Sequence, residues 1–301
     1  MHPIQKILHP LTLAVGLTLA TLAAAHEADK PPAITVSQVA DNLYMLTSPN
    51  SGNVAALLGA EGTFIVDDKF AADGPALLAA LKSVGGALPK YLLNTHYHAD
   101  HAGGNAFFGE RGTLIMAHDR VRERLAAGYT LPAFGMEVAP AAAAALPRIT
   151  YRQGSTLHLN GETLRFIHAP AAHTDTDSIV HFVRANVIHT GDAMFNGFFP
   201  FIDTAHGGTL SGAIEALTII ADLADKHTRI IPGHGPLADR ATVLKTKRTL
   251  KLAHERLTAL KKAGKTLKQT QAAAPLADIE KDWGGVMFSA EQWIGVVWDG
   301  L

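Results

Sequence analysis

The 301-residue chain contains no cysteine. That excludes disulfides, thiolate ligands and a cysteine nucleophile, and it leaves only nitrogen and oxygen ligands for any metal. Net charge is nearly absent as well: 26 Lys and Arg stand against 27 Asp and Glu, a formal charge of -1. A balanced chain gives no electrostatic case for a nucleic-acid partner or an anionic membrane surface. Its one basic run, Lys245–Lys268, has helical spacing and reads as a solvated helix face. No close repeat of short period is visible, so a solenoid or propeller is not expected.

Long hydrophobic runs are also missing. The apolar stretch LTLAVGLTLATL (Leu11–Leu22) falls short of the roughly 20 residues that a membrane helix needs. With Lys6 before it and Ala23–Ala25 after it, the stretch reads as an export signal. Cleavage is expected after Ala25, followed by a linker over 26–33 and a single domain over 34–301 whose C-terminal helices begin near 240. The expected destination is periplasmic or secreted, with no stable membrane anchor; an uncleaved anchor is the competing reading.

What is present is enough apolar material for a sizeable core, at 48% hydrophobic residues. Short apolar runs bounded by turn residues predict strands at ITVSQV, LYMLT, NVAALLG and TFIVD, and a helix over Asp73–Val84. KYLLNT and GTLIMAH are further strands, with a helix at DRVRERLAA. Gly128–Pro147 has no clean period and reads as a loop bordering a cleft. The second half repeats the rhythm. ITYRQG, STLHLN and ETLRFIHA are expected to form antiparallel strands, followed by SIVHFV and NVIHTGD, a helix from Leu210, the strand RIIPG, a long helix over Arg240–Ala263 and a final helix from Ser289. Strands then helices, twice over, predict an α+β fold, a four-layer αββα sandwich.

The chemistry is concentrated in THYHADHAGGN, Thr95–Asn105. If the preceding strand continues, His96 and His98 share a face and aim at one ion, because alternate residues of a strand point the same way. Asp100 and His101 face a neighbouring ion once the chain turns, and Gly103 and Gly104 suit that turn and its close approaches. Further ligands are expected at other strand ends: His173 after TLRFIHA, Asp192 after VIHTG, and His234 in RIIPGHGP. The order H-x-H-x-D-H, His, Asp, His resembles the metallo-β-lactamase superfamily over roughly Ile34–Leu237.

The resemblance implies the αββα sandwich and a metal site at one edge. It also implies roles: His96, His98 and His173 hold one ion, Asp100, His101 and His234 a second, and Asp192 bridges them. Asp67, at the end of TFIVD, would orient the ligands. The implied cofactors are two zinc ions, with iron or manganese as alternatives. The implied reaction is attack on the carbonyl of a small-molecule substrate by a water acidified between two ions about 3.5–4 Å apart, with Asp100 as the catalytic residue that orients it or handles a proton. Ser178 and Ser211 take structural roles.

Which carbonyl is attacked stays open between a cyclic amide or ester, β-lactamase-like, and a lactone or thioester. Asp192 resembles the glyoxalase II and lactonase branches, because one β-lactamase subgroup has cysteine there and another generally lacks the bridge. The export signal fits the β-lactamase-like branch, and the basic residues expected to grip a glutathione carboxylate are not recognisable. A mononuclear iron enzyme acting on a sulfur substrate and a non-catalytic metal-binding module are the other readings. Phe195, Phe198, Phe199 and Phe201 crowd the stretch after Asp192; Phe195 and Phe198 are expected as an apolar wall for substrate, and Asn196 as a donor to a substrate oxygen. The remaining histidines read as ordinary surface or core residues; His206 reads as a solvated turn residue, with a place at the cleft border as the alternative.

Overall fold

The structure is a computed structural model and describes residues 33–301. The expected signal segment and nearly all of the linker lie outside the described residues. Along the chain, β1 (Thr35–Ala40), β2 (Leu43–Ser48), β3 (Ser51–Leu57) and β4 (Phe64–Val66) form an antiparallel meander, and α1 (Gly74–Ser83) follows. β5 (Tyr91–Leu93) and β6 (Leu114–His118) then add in parallel. Two short helices, α2 (Ala99–Ala102) and α3 (Asn105–Gly109), lie between them.

Helix α4 (Asp119–Ala127) leads into the region expected as a loop. It holds a small hairpin of β7 (Tyr129–Leu131) and β8 (Met136–Val138), turned at Gly135, whose φ of 60° favours glycine. The hairpin escaped the sequence reading because three-residue strands are too short to show alternation. A second difference concerns ITYRQG. Its first residues form β9 (Ile149–Tyr151), which joins the first sheet in parallel with β6, not the second sheet in antiparallel fashion. The crossover through α4 and the hairpin returns the chain to the strand it left.

The second sheet contains β10 (Gly154–Leu159), β11 (Glu162–His168), β12 (Ser178–Phe182), β13 (Val187–His189), β14 (Arg229–Ile231) and β15 (Ala238–Asp239) in sequential order. Helix α5 (Leu210–Leu223) connects β13 to β14 as a parallel crossover. The chain ends in α6 (Arg240–Lys262), α7 (Leu267–Ala272), α8 (Ala277–Trp283) and α9 (Ala290–Val297), the last opened by the expected Ser289 cap. On α6, Val243, Thr246, Leu250, Ala253 and Leu257 turn inward at three- and four-residue spacing, which leaves Lys245 and Lys251 exposed.

The central strands of each sheet are covered on both faces and are apolar on both sides, whereas the edge strands β1 and β10 are largely exposed. In β4, Phe64 and Val66 point between the sheets while Ile65 points to α1 and α3. Leu93 and Leu92 divide the same way on β5. Across the middle, Phe64 and Val66 meet Phe166, Val180 and Phe182 of the second sheet. Ile179, Ile188 and Ile230 face the opposite way, under α5 and the C-terminal helices. This is the four-layer αββα sandwich. Among the described residues no helix is long and apolar enough to cross a membrane.

Candidate metal centre and cleft

At one edge of the sandwich the sheets are tied by hydrogen bonds: Asn53 N donates to Gly233 O at 2.8 Å and Ser178 N to Thr95 O at 2.9 Å. The loops leaving β4, β5, β11, β13 and β14 meet at this edge. They carry Asp67, the His96–His101 cluster, His173, Asp192 and His234. Ends of strands at a sheet edge are where ligand sites form in such folds, because the loops there are free of the ladder.

The seven residues named in the sequence are brought to one place. His96, His98, His173 and Asp192 form one group, and Asp100, His101 and His234 a second; within each, the ligand atoms lie within 4.8 Å of one another. The Asp192 carboxylate lies between them, with one oxygen 3.0 Å from His101 Nε2 and the other 3.5 Å from both His173 Nε2 and His234 Nε2. The route to this geometry differs from the expected one. β5 ends at Leu93, and His98 is the residue before α2, so strand alternation does not aim His96 and His98. The tight turn into α2 does. Gly103 and Gly104 have ordinary helical φ values and are there for space: a Cβ would stand 2.3 Å from Ala99 O at Gly103 and 2.6 Å from Asp68 O at Gly104.

Four of the five histidines have their outer ring nitrogen held by an acceptor. His101 Nδ1 donates to Asp67 Oδ2 at 2.8 Å, His173 Nδ1 to Phe201 O at 2.7 Å, and His98 Nε2 to Asp203 Oδ2 at 3.1 Å. Thr95 Oγ1 donates to Asp67 Oδ2, so it accepts from His96 Nδ1 at 3.1 Å. With the outer nitrogens carrying the protons, the inner ones of the neutral rings carry lone pairs. His173 Nε2 and His98 Nδ1 then face each other 2.9 Å apart, and His96 Nε2 is buried without a partner. Lone pairs collected around buried carboxylate oxygens fit a divalent cation.

The electrostatics agree. Burial pushes His96 well below its ordinary pKa and takes His173 down to about 4. Burial also opposes charge on His101 and His234, but Asp192 and Asp100 outweigh it, raising His101 and bringing His234 up to about 9. Asp192 and Asp100 are held well below the carboxylate range, the cost of burial being outweighed by those same histidines. Protons on His101 and His234 thus do the work that a cation bound there would take over.

Several contributors were not legible in the sequence. Asp203 Oδ2 accepts from Tyr97 Oη at 2.5 Å and from His206 Nδ1 at 2.8 Å as well as from His98. His206 is therefore not a solvated turn residue. It helps to fix the carboxylate that fixes His98. Lys69, fully buried with φ 66°, donates to Gly52 O at 2.7 Å and Ser48 Oγ at 3.1 Å. Burial lowers it to about 8. Asn196 requires a correction. Its Nδ2 donates to Pro236 O at 2.9 Å and its N to His234 O at 3.0 Å, so it braces the His234 loop and is not among the residues that line the cleft.

The ligand cluster is the floor of a cleft of about 410 Å³, where Asp100 and His234 are its more exposed members. Phe195, Phe198 and Phe201 wall it, and Phe195 stacks on the His234 ring with centroids 5.0 Å apart. Phe199 points away and stacks on Trp293 in the core.

Comparison with known proteins follows the same line. The sequence signature described as the metallo-beta-lactamase superfamily matches residues 48–234. Among curated proteins none matches. Solved structures share the fold. A metallo-beta-lactamase from Pontibacter korlensis is 16% identical, with a TM-score of 0.62, covering 72% of this chain and 99% of its own. A metallo-beta-lactamase family protein from Thermus thermophilus is 22% identical, with a TM-score of 0.64 over 86% and 92%. The metallo-beta-lactamase FIM-1 from Pseudomonas aeruginosa, in its mono-zinc form, is 18% identical, with a TM-score of 0.59 over 75% and 97%. Because the matching signature takes in well over half of its residues, the chain belongs to the metallo-beta-lactamase superfamily.

Proposed function

We propose that this protein is an exported, metal-dependent hydrolase that opens a cyclic amide or ester. The observation that carries the reading is the carboxylate of Asp192 set between two ligand groups at the floor of a walled cleft. His96, His98 and His173 would hold one zinc ion and Asp100, His101 and His234 a second, with Asp192 shared. Bound there, such ions would supply an electrophile for a carbonyl oxygen and a water acid enough to attack near neutral pH.

The chain's own residues do the rest. Asp67, Thr95, Asp203 and the carbonyl of Phe201 hold the imidazoles in the orientation and tautomer that turns a lone pair inward. Asp100 presents a carboxylate at the open side of the cluster, its Oδ2 3.1 Å from His234 Nε2. It is the group placed to orient a water and to pass a proton to a leaving nitrogen or oxygen. Phe195, Phe198 and Phe201 give the cleft an apolar wall beside the ligand cluster.

The test is hydrolysis of a chromogenic cephalosporin and of a medium-ring lactone by zinc-loaded protein, with and without a chelator, alongside the metal content. Chelator-sensitive opening of either ring supports the reading. Two bound ions with no turnover of any cyclic amide, lactone or thioester overturn it. Export is checked separately by the mass of the secreted form, which is expected to begin at His26.

A further inference from the structure

The cleft is apolar to an extent that its place above a metal cluster does not require. Five of the eight large apolar side chains that stand exposed among the described residues are at this one opening: Phe70, Phe134, Met136, Val286 and Met287. Exposed apolar surface gathered in one place marks a binding surface, because scattered residues would leave no such patch. Two segments bring most of these residues there. The β7–β8 hairpin supplies Phe134 and Met136, and the loop between α8 and α9 supplies Val286 and Met287. Phe134 packs on Phe201 with centroids 4.8 Å apart, which joins the rim to the wall.

The polar lining is as informative. It consists of Asn50 and four members of the ligand cluster, His98, Asp100, Asp192 and His234, with no lysine or arginine among the described residues. Lys69 precedes Phe70 in the chain but is fully buried and spent on Gly52 O and Ser48 Oγ. Cationic side chains are collected elsewhere: Arg120 and Arg152 line a separate cavity of about 770 Å³. A carboxylate on the part of a substrate that lies along the apolar wall, away from the ligand cluster, would therefore leave water with no lysine or arginine among the described residues to meet it, which is costly.

Resting on the hydrolase reading above, we infer that the cleft selects an acyl group that is aliphatic and uncharged. The substrate class is an ester or lactone with an apolar chain laid between the hairpin and the 284–288 loop. β-Lactams and thioesters that need a lysine or arginine to grip a carboxylate are the poorer substrates.

The experiment compares 4-nitrophenyl octanoate with the same ester bearing a sulfonate at the chain end, on zinc-loaded full-length protein. The sulfonate is permanently charged and a poor metal ligand. The expected result is a kcat/KM at least about 100-fold higher for the uncharged ester, as burial of an unpaired charge demands. Met136→Lys, at a rim position exposed enough to take the longer side chain, should raise the rate of the sulfonate ester. Calorimetric titration with octanamide and its chain-end sulfonate reads the cleft without turnover, and the uncharged amide should bind more tightly. Equal rates for the two esters, or equal or absent binding of the two amides, overturn the inference and leave the hydrolase reading to its own test. Selective binding of octanamide with no ester turnover supports the cleft assignment and counts against the hydrolase reading.

Discussion

Asp67 Oδ2 accepts from His101 Nδ1 at 2.8 Å while its own backbone stands at φ 63°. The same carboxylate accepts from Thr95 N at 2.7 Å and Thr95 Oγ1 at 2.8 Å, and Thr95 Oγ1 in turn meets His96 Nδ1. One fully buried side chain thus sets a histidine in each half of the cluster. Aspartate is among the few residues that tolerate a left-handed backbone, and such conformations are retained where surrounding structure over-determines them.

Asp67→Asn keeps the shape but leaves one acceptor oxygen where three donors converge. Metal affinity should fall about 10–100-fold, as loss of an outer partner typically brings. Competition against a zinc-binding dye reads this directly. Unchanged affinity would show that Asp67 holds the loop and not the ligands.

His96→Ala and Asp100→Asn each remove one side of the cluster. Turnover should drop by more than the roughly 100-fold expected for an outer partner, while the circular dichroism spectrum stays that of the wild type. Rates near wild type in both variants would end the metal-site assignment. Stripping the metal from the wild-type protein should lower its Tm, because a ligand bound only by the folded state stabilises it.

Tyr97→Phe deletes a buried donor to Asp203 and leaves the carboxylate with His98 and His206. The expected loss is about 1–3 kcal/mol in urea unfolding, the usual cost of an unmade buried hydrogen bond. Asp203→Asn should in addition weaken metal binding, since it frees the His98 ring. If the two variants behave alike in metal affinity, Asp203 acts only through packing.

His118 gives a pH prediction away from the cluster. Burial lowers its pKa, with help from the His168 ring stacked on it at 4.0 Å. The folded state then binds fewer protons than the unfolded one, so stability rises with pH in that range. The contribution is present above the ordinary value of about 6.5 and is lost as pH falls below it. Tm measured from pH 7.5 to 5 should decline more steeply for the wild type than for His118→Asn. Parallel slopes would remove His118 as the cause.

What the sequence determined is local. Alternating and continuous apolar runs marked most strands, since a strand covered on both faces must be apolar throughout, as Phe64–Val66 and Tyr91–Leu93 nearly are. Caps and three- and four-residue spacing marked α6 and α9. The ligand residues were named because histidine and aspartate placed directly after apolar strands carry chemistry in their own identity. Tertiary structure decided whatever depends on distance across the chain. Sequence could not show that Ile149–Tyr151 returns to the first sheet, that Asn196 turns to Pro236, or that Asp203 reaches His98 from 105 residues away. The cleft rim is the clearest case, assembled from Phe70, Phe134, Met136 and Met287. No periodicity links such positions, because only packing of separate loops at the sandwich edge brings them together.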